Sequence, residues 1–280
     1  MQKLETMATL ALATAALAAC ASVNESGPTA ATPTEAAEPE AAPIVSDDAL
    51  FINWTKQPIN RRWYVSNHNM PSGQPGSDFR HANVQALPNG LNIKLAAKSP
   101  FNGQWPWASG EVQYRPRVSF GEYHTIMRAA PGENLVSAFF SHTGPYYGNP
   151  RDEIDVEFSG RSPFRIRFNT FTDGVSHGGI NYPVEFDTTK NFALYSFTWT
   201  PDRVTWYVNG EFAHEITSND HLIPQTPGIL FAHMYRTRNQ QQNGSAELEE
   251  GATATFRCMS YRPLGDTNSR TCADEWNAND

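Results

Sequence analysis

Three cysteines, a deficit of positive charge and no long apolar run mark this 280-residue chain before any motif does. Lys and Arg number 21 against 29 Asp and Glu, for a formal net charge of −8. The deficit is uneven. Residues 21–48 hold six acids and no base, and the last 18 residues hold four acids against Arg270. The stretch between them is close to neutral, which excludes the clustered Lys and Arg of a nucleic-acid footprint. Met7–Ala19, the longest apolar run, falls short of the ~20 residues that cross a bilayer as a helix. No amphipathic stretch of about 12 residues shows a helical period. No repeat of roughly 20–50 residues recurs, which speaks against a propeller or a solenoid. With 39% hydrophobic and 18% charged residues the chain is not disordered as a whole. Aromatics, at 12%, are in good supply.

Lys3, the apolar run Met7–Ala19 and the small residues before Cys20 have the form of a secretory signal. Leu17-Ala18-Ala19-Cys20 resembles a bacterial lipobox. That resemblance implies cleavage after residue 19, lipidation of Cys20 and an exported, membrane-anchored lipoprotein facing the periplasm or the cell surface. Ala21 is not acidic, which favours the outer membrane. An ordinary signal peptide with a chance cysteine is the alternative. Residues 21–48, rich in Ala, Pro, Thr and Glu and without an aromatic, read as a solvated spacer. The folded domain is therefore predicted over 49–262, with 263–280 as a C-terminal tail. Cys258 and Cys272 are an even pair in an oxidising compartment, and a bridge between them would hold that tail. Closing a loop of about 15 residues would contribute on the order of 3 kcal/mol. Two free thiols are the alternative, and zinc is disfavoured because no second ligand pair stands at finger-like spacing.

The body reads as strands. Short β-rich runs are predicted at Leu91–Ala96, Gly110–Tyr114, Gly121–Arg128, Leu135–His142, Ile154–Phe158 and Phe164–Thr172. Five more follow at Ala193–Thr200, Arg203–Val208, Glu211–Ile216, Gly228–His233 and Thr253–Tyr261. Gly, Pro and Asn punctuate them, and Val208-Asn209-Gly210-Glu211 is a two-residue hairpin signal. Many short strands at regular spacing predict an all-β sandwich of jelly-roll type.

The informative segment is Asp152-Glu153-Ile154-Asp155-Val156-Glu157-Phe158. On a strand Glu153, Asp155 and Glu157 share one face, while Ile154, Val156 and Phe158 share the other and can enter a core. Three carboxylates in a row repel one another, so at least one is expected to keep its proton. A merely solvated face would interleave bases, and none lies between these acids. A flat strand also cannot wrap the six to eight or so oxygens that calcium takes. Two Glu side chains leaning inward from such a strand can reach the ~5–5.5 Å separation of a retaining glycosidase, one as nucleophile and one as acid/base. Asp155 between them would tune the difference.

Glu153-Ile154-Asp155-Val156-Glu157 resembles the signature of glycoside hydrolase family 16. The likeness extends through Phe139–Pro145, Arg167–Gly174, Tyr195–Pro201 and Val204–Gly210, and is greatest to bacterial lichenases. It implies a β-sandwich jelly roll of the concanavalin A-like lectin/glucanase type. It also implies Glu153 as nucleophile, Asp155 as its hydrogen-bonding assistant and Glu157 as general acid/base. Glu111, Phe140 and Asn169 match cleft-lining positions, and His142, Phe171 and Tyr235 fall where lichenases carry aromatic platforms. The single residue between Asp155 and Glu157 matches the regular-strand branch rather than the bulged branch of laminarinases and agarases.

Departures accompany the likeness. Arg151 stands where lichenases have Trp, Gln113 stands for a cleft Arg, and the loop 236–250 lacks a Trp. Arg151, Arg161 and Arg165 near the cleft would suit a polysaccharide with acidic substituents, and Arg151 is counted among the substrate-binding residues. Arg257 takes the place of the family's calcium-binding Asp, so neither a metal nor another cofactor is expected. The function that follows is a retaining endo-β-glycosidase, acting as a monomer on mixed-linkage β-1,3-1,4-glucan or a related glycan. An endo-glycanase or transglycosylase acting on a bacterial exopolysaccharide is the near alternative. A non-catalytic glycan-binding jelly roll and a structural surface protein are the alternatives of other classes.

Overall fold

Residues 46–70, 76–97, 105–237 and 250–277 are described by a computed structural model. The signal segment, Cys20, nearly all of the spacer and residues 238–249 of the Arg- and Gln-rich loop lie outside them. In chain order the first strands are β1 Leu50–Asn53, β2 Trp63–Val65, β3 Asp78–Phe79, β4 Val84–Leu87, β5 Gly90–Lys94 and β6 Ala96–Ala97. β7 Trp107–Val118, β8 Gly121–Arg128, β9 Leu135–Thr143, β10 Asp152–Ser159, β11 Arg165–Thr172 and β12 Val175–Pro183 follow. The last are β13 Ala193–Thr200, β14 Arg203–Val208, β15 Glu211–Thr217, β16 Gly228–Arg236 and β17 Thr253–Pro263. They form two sheets. One runs β15-β14-β13-β8-β17-β5-β4 with β1 beside β17, the other β12-β11-β10-β9-β16-β7-β2 with β3 and β6 beside β7. Apart from the parallel β3–β7 pair, the pairings are antiparallel. This is the β-sandwich that the strand-rich sequence predicts.

The alternating pattern of β10 explains its place in the sandwich. Ile154, Val156 and Phe158 point inward and are fully buried. The facing sheet meets them with aromatics: Phe158 packs on Tyr195 at 4.6 Å, and Phe168 of β11 stacks on Trp206 at 5.5 Å. Trp206 Nε1 also donates a hydrogen bond across the sandwich to the Asp155 carbonyl at 3.1 Å. The strand that carries the acids is thus fixed from behind by the opposite sheet. The β14–β15 hairpin turns where the sequence predicts, with Asn209 at φ 52° and Gly210 at φ 83°, the left-handed pair of a tight two-residue loop.

The C-terminal segment is fastened to the body. Cys258 of β17 is bonded to Cys272, with their Cα atoms 5.8 Å apart. Cys272 opens a short helix, α1 Cys272–Asn277, and is buried beside Ile126 and Leu194. Asp274 accepts the Thr271 N–H at 2.7 Å, and Glu275 accepts from Asn53 Nδ2 at 2.8 Å. The tail is therefore a packed element, not a loose extension.

Candidate active site

β10 lies between β9 and β11, so each acid faces a cross-strand neighbour on either side. Glu153 pairs with His142 and Phe171, Asp155 with Phe140 and Asn169, and Glu157 with Ala138 and Arg167. Register is unbroken on β10 from Asp152 to Ser159, the regular strand that the spacing of the acids implies. The next strand, β16, extends these rungs with Phe231 beside Phe140 and His233 beside Ala138. The irregularity falls between β11 and β12 instead, where two residues of β12, Gly178 and Gly179, stand opposite Asn169. Gly179 of β12 leaves room there, because a Cβ on it would stand 2.8 Å from Asn169 Oδ1.

These side chains line a cleft of about 560 Å³. Glu153, Asp155 and Glu157 line it together with Glu111, Phe140, Arg151, Asn169, Phe171 and Tyr235, all candidates from the sequence. His142, also a candidate, stands beside the cleft with its Nδ1 2.9 Å from Glu153 Oε2. The sequence reading did not foresee this bond, which engages the edge of the His142 ring. Arg151 is likewise engaged: its Nε and Nη2 both lie 2.9 Å from the same Glu153 oxygen, and its guanidinium sits 4.0 Å over the Phe171 ring.

The three acids differ in charge because their surroundings differ. Burial pushes the Glu153 carboxyl up, but hydrogen bonds from His142 and Arg151 and their positive charge outweigh it, bringing it down to about 2. Asp155 is buried with few compensations. Desolvation, the charges of Glu153 and Glu157 and a hydrogen bond to Glu153 raise it well above the usual carboxylate range. Asp155 is therefore the acid of the three held most toward its protonated form, beside Glu153. Glu157 is also raised, by burial first and by Glu153, although His233 and Arg167 pull it down. Arg167 Nε lies 3.5 Å from it. The carboxyls of one strand face are thus pulled apart, Glu153 downward and Asp155 and Glu157 upward.

Several residues in and around the cleft were not among the candidates. His233 and Arg167 line it, as do Met70, Phe79 and Thr237. His233 Nδ1 is 3.3 Å from Glu111, which also accepts from Ser66 Oγ at 2.6 Å and from Gln113 Nε2 at 2.8 Å. Burial raises Glu111, but His233 and these donors leave it below the usual range. Strand alternation could have found His233, two residues before Tyr235, and Arg167, two before Asn169. Nothing periodic announces Phe79, on a two-residue strand. Asp152 opens the acidic segment but faces away from the chemistry. Its carboxylate accepts the N–H groups of Asp173, Gln225 and Thr226 and ties two loops to the start of β10.

The model of glycosyl hydrolases family 16 matches residues 75–250, a span that takes in the whole of β10 and the cleft strands around it. The chain belongs to family 16. Among its family 16 relatives is a protein named beta-glucanase from Brevibacillus brevis, 40% identical over 153 residues, which are 54% of this chain and 58% of that protein. Another, from Paenibacillus polymyxa, is 34% identical over 164 residues, covering 59% of this chain and 67% of that one. A third, from Acetivibrio thermocellus, is matched over 43% of its length. The chain thus spans roughly half the length of the first of these curated relatives. Of solved structures, the Bacillus licheniformis beta-glucanase superposes with a TM-score of 0.68 at 27% identity, covering 76% of this chain and 97% of that one. A beta-1,3-1,4-glucanase (lichenase) from a mouse hindgut metagenome also gives 0.68, at 25% identity over 77% and 99% of the two chains.

Proposed function

We propose that this family 16 chain is a retaining endo-β-glucanase whose substrate is mixed-linkage β-1,3-1,4-glucan or a close relative of it. The observation that carries the reading is the row Glu153, Asp155 and Glu157 on one cleft-lining strand face, with Glu153 held below the ordinary carboxylate range and Asp155 and Glu157 raised above it. A Glu153 oxygen attacks the anomeric carbon while the glycosidic C–O bond breaks. The Glu157 proton passes to the leaving oxygen. Glu157, now a carboxylate, takes a proton from water as the water oxygen bonds to the same carbon and the Glu153 carboxylate departs. Asp155 donates to Glu153 throughout and stabilises it whenever it is charged. Arg167 faces Glu157 after it has lost its proton. His233 Nε2 is buried without a hydrogen-bond partner among the described residues and can donate to or accept from a sugar hydroxyl. The names of the relatives support the choice of polymer.

Release of reducing ends from barley β-glucan and lichenan tests the reading. Wild type is expected to produce them and Glu153→Gln to fall to background. Equal activity of the two proteins would sink the catalytic role. The lipobox-like Leu17-Ala18-Ala19-Cys20 supports a further part of the reading, a lipid anchor at Cys20 holding the domain at a membrane. Incorporation of labelled palmitate that is lost in Cys20→Ser is its test, and label retained in that variant contradicts it.

A further inference from the structure

Beyond Glu157 the cleft opens into a second cavity of about 330 Å³ that shares Glu157, Arg167 and Tyr235 with it. Its own lining comes from Val136, Ser159, Ser162, Arg165 and Asn181. The sequence order fixes its position. Ser159 follows Glu157 on the same face of β10, and two successive turn hydrogen bonds, Ser162 N–H to Ser159 and Arg165 N–H to Ser162, bring Arg165 back beside it. On β11 Arg165 and Arg167 share a face by alternation, and Arg167 pairs across to Asn181 on β12. Two guanidiniums, two hydroxyls and an amide therefore converge on the side of Glu157 away from Glu153.

The charges of this cavity do not cancel. Among the described residues no carboxylate pairs with Arg165. The single acid in the lining is Glu157, which already has Arg167 and must be protonated to begin the reaction. A neutral glucan offers only hydroxyls and has no need of two guanidiniums. Arg is suited to planar, bidentate recognition of carboxylates, with Ser and Asn hydrogen bonds completing the shell. In the proposed reaction the leaving oxygen is held at Glu157, so whatever lies beyond it belongs to the departing segment of the glycan.

We infer that Arg165, Arg167, Asn181 and the two serines form a subsite for an anionic substituent, a carboxylate or a sulfate, on the leaving segment of the substrate. The native polymer would then be an acid-substituted β-glycan. The direction, the leaving side, rests on Glu153 and Glu157 acting as proposed; the recognition of an anion does not. The arginines that the sequence nominated are sorted accordingly. Arg151 is engaged with Glu153, Arg161 does not line the cavity, and Arg165 does.

Barley β-glucan carboxymethylated or sulfated to a low degree, set against the unmodified polymer, is the probe. With the full chain, the ratio of kcat/KM on carboxymethylated to neutral glucan is expected to exceed one, and to fall roughly fivefold in Arg165→Gln, the scale of a partly exposed ion pair. Arg165→Lys, which keeps the charge, should lose less. Rising salt should lower the ratio in wild type, because the site is open to solvent. Mass spectrometry should find carboxymethyl groups enriched near the new non-reducing ends, those of the departed segments. The sulfated arm tells a carboxylate-selective site from one that accepts either anion. An unchanged ratio in Arg165→Gln, or substituents absent from the new non-reducing ends, would overturn the inference. Affinity electrophoresis on the two gels separates it from the hydrolase reading. If neither polymer is cut but carboxymethyl-glucan retards wild type and not Arg165→Gln, the hydrolase reading fails and the anion site stands. If neither polymer is cut and retardation is equal on both gels, both fail.

Discussion

Glu153 carries two nitrogen partners, His142 and the Arg151 guanidinium, on a single oxygen, and this sets the acid side of the reaction. The sequence made the three acids legible, because alternation on a strand puts Glu153, Asp155 and Glu157 on one face whatever surrounds them. Their division of labour was legible only in part. A raised carboxyl among the three follows from repulsion, but which acid stays ionised depends on His142 and Arg151, and those contacts cross strands. Cross-strand register is invisible in the linear sequence, so the bonds of His142 and Arg151 to Glu153 could not be read from it. Replacing Arg151 by Gln removes one of the two partners and moves the Glu153 carboxyl upward from about 2 toward its ordinary 4.5. Since Glu153 must be ionised to attack, the acid limb of the kcat/KM profile should shift to higher pH by part of that interval. An unmoved acid limb would mean that Arg151 does not govern the nucleophile.

The strand is the unit that makes the site rigid. β10 is held by two neighbours in its own sheet and by Trp206 from the other sheet, so the acids cannot drift apart without disturbing the core. Trp206→Phe keeps much of the ring contact with Phe168 but deletes the hydrogen bond to the Asp155 carbonyl. A loss of about 1–3 kcal/mol in unfolding free energy is expected, measured by denaturant melts, and kcat should fall as well. A change in stability with no change in kcat would show that the bond matters to the fold alone. At this scale the sequence read well where hydrophobic alternation or turn residues mark a strand, as for β8, β9, β13 and β14. It missed β12, whose Ser176, His177, Gly178, Gly179 and Asn181 carry no apolar period. That strand stands at the edge of its sheet, where one side needs no partner and polarity is tolerated. β3 and β6, at two residues each, are too short to show any period.

For the molecule as a whole, the two regions that carry the negative charge turn out to be unlike each other. The acidic spacer is a compositional inference alone, whereas the acidic C-terminal segment is a structured clasp, with Glu275 bonded to Asn53 near the start of the domain. Cysteine arithmetic pointed to the Cys258–Cys272 pair but could not show the short helix that it anchors. Closing a loop with a sequence separation of 14 restricts the unfolded chain, so Cys272→Ser should cost about 3 kcal/mol, seen as a lower Tm. Added reductant should lower the wild-type Tm and leave the variant unaffected. If the variant melts with the wild type, the tail contributes nothing to the sandwich.

The central claim is that Glu153 attacks carbon and forms a covalent glycosyl-enzyme before water arrives. Proton NMR of the anomeric region during early hydrolysis of barley β-glucan tests it most directly, before mutarotation mixes the products. The β-anomer should appear first, the outcome of two successive inversions at one carbon. An α-anomer appearing first would contradict the account, because it would make Glu153 a base that activates water and leave no place for the covalent step.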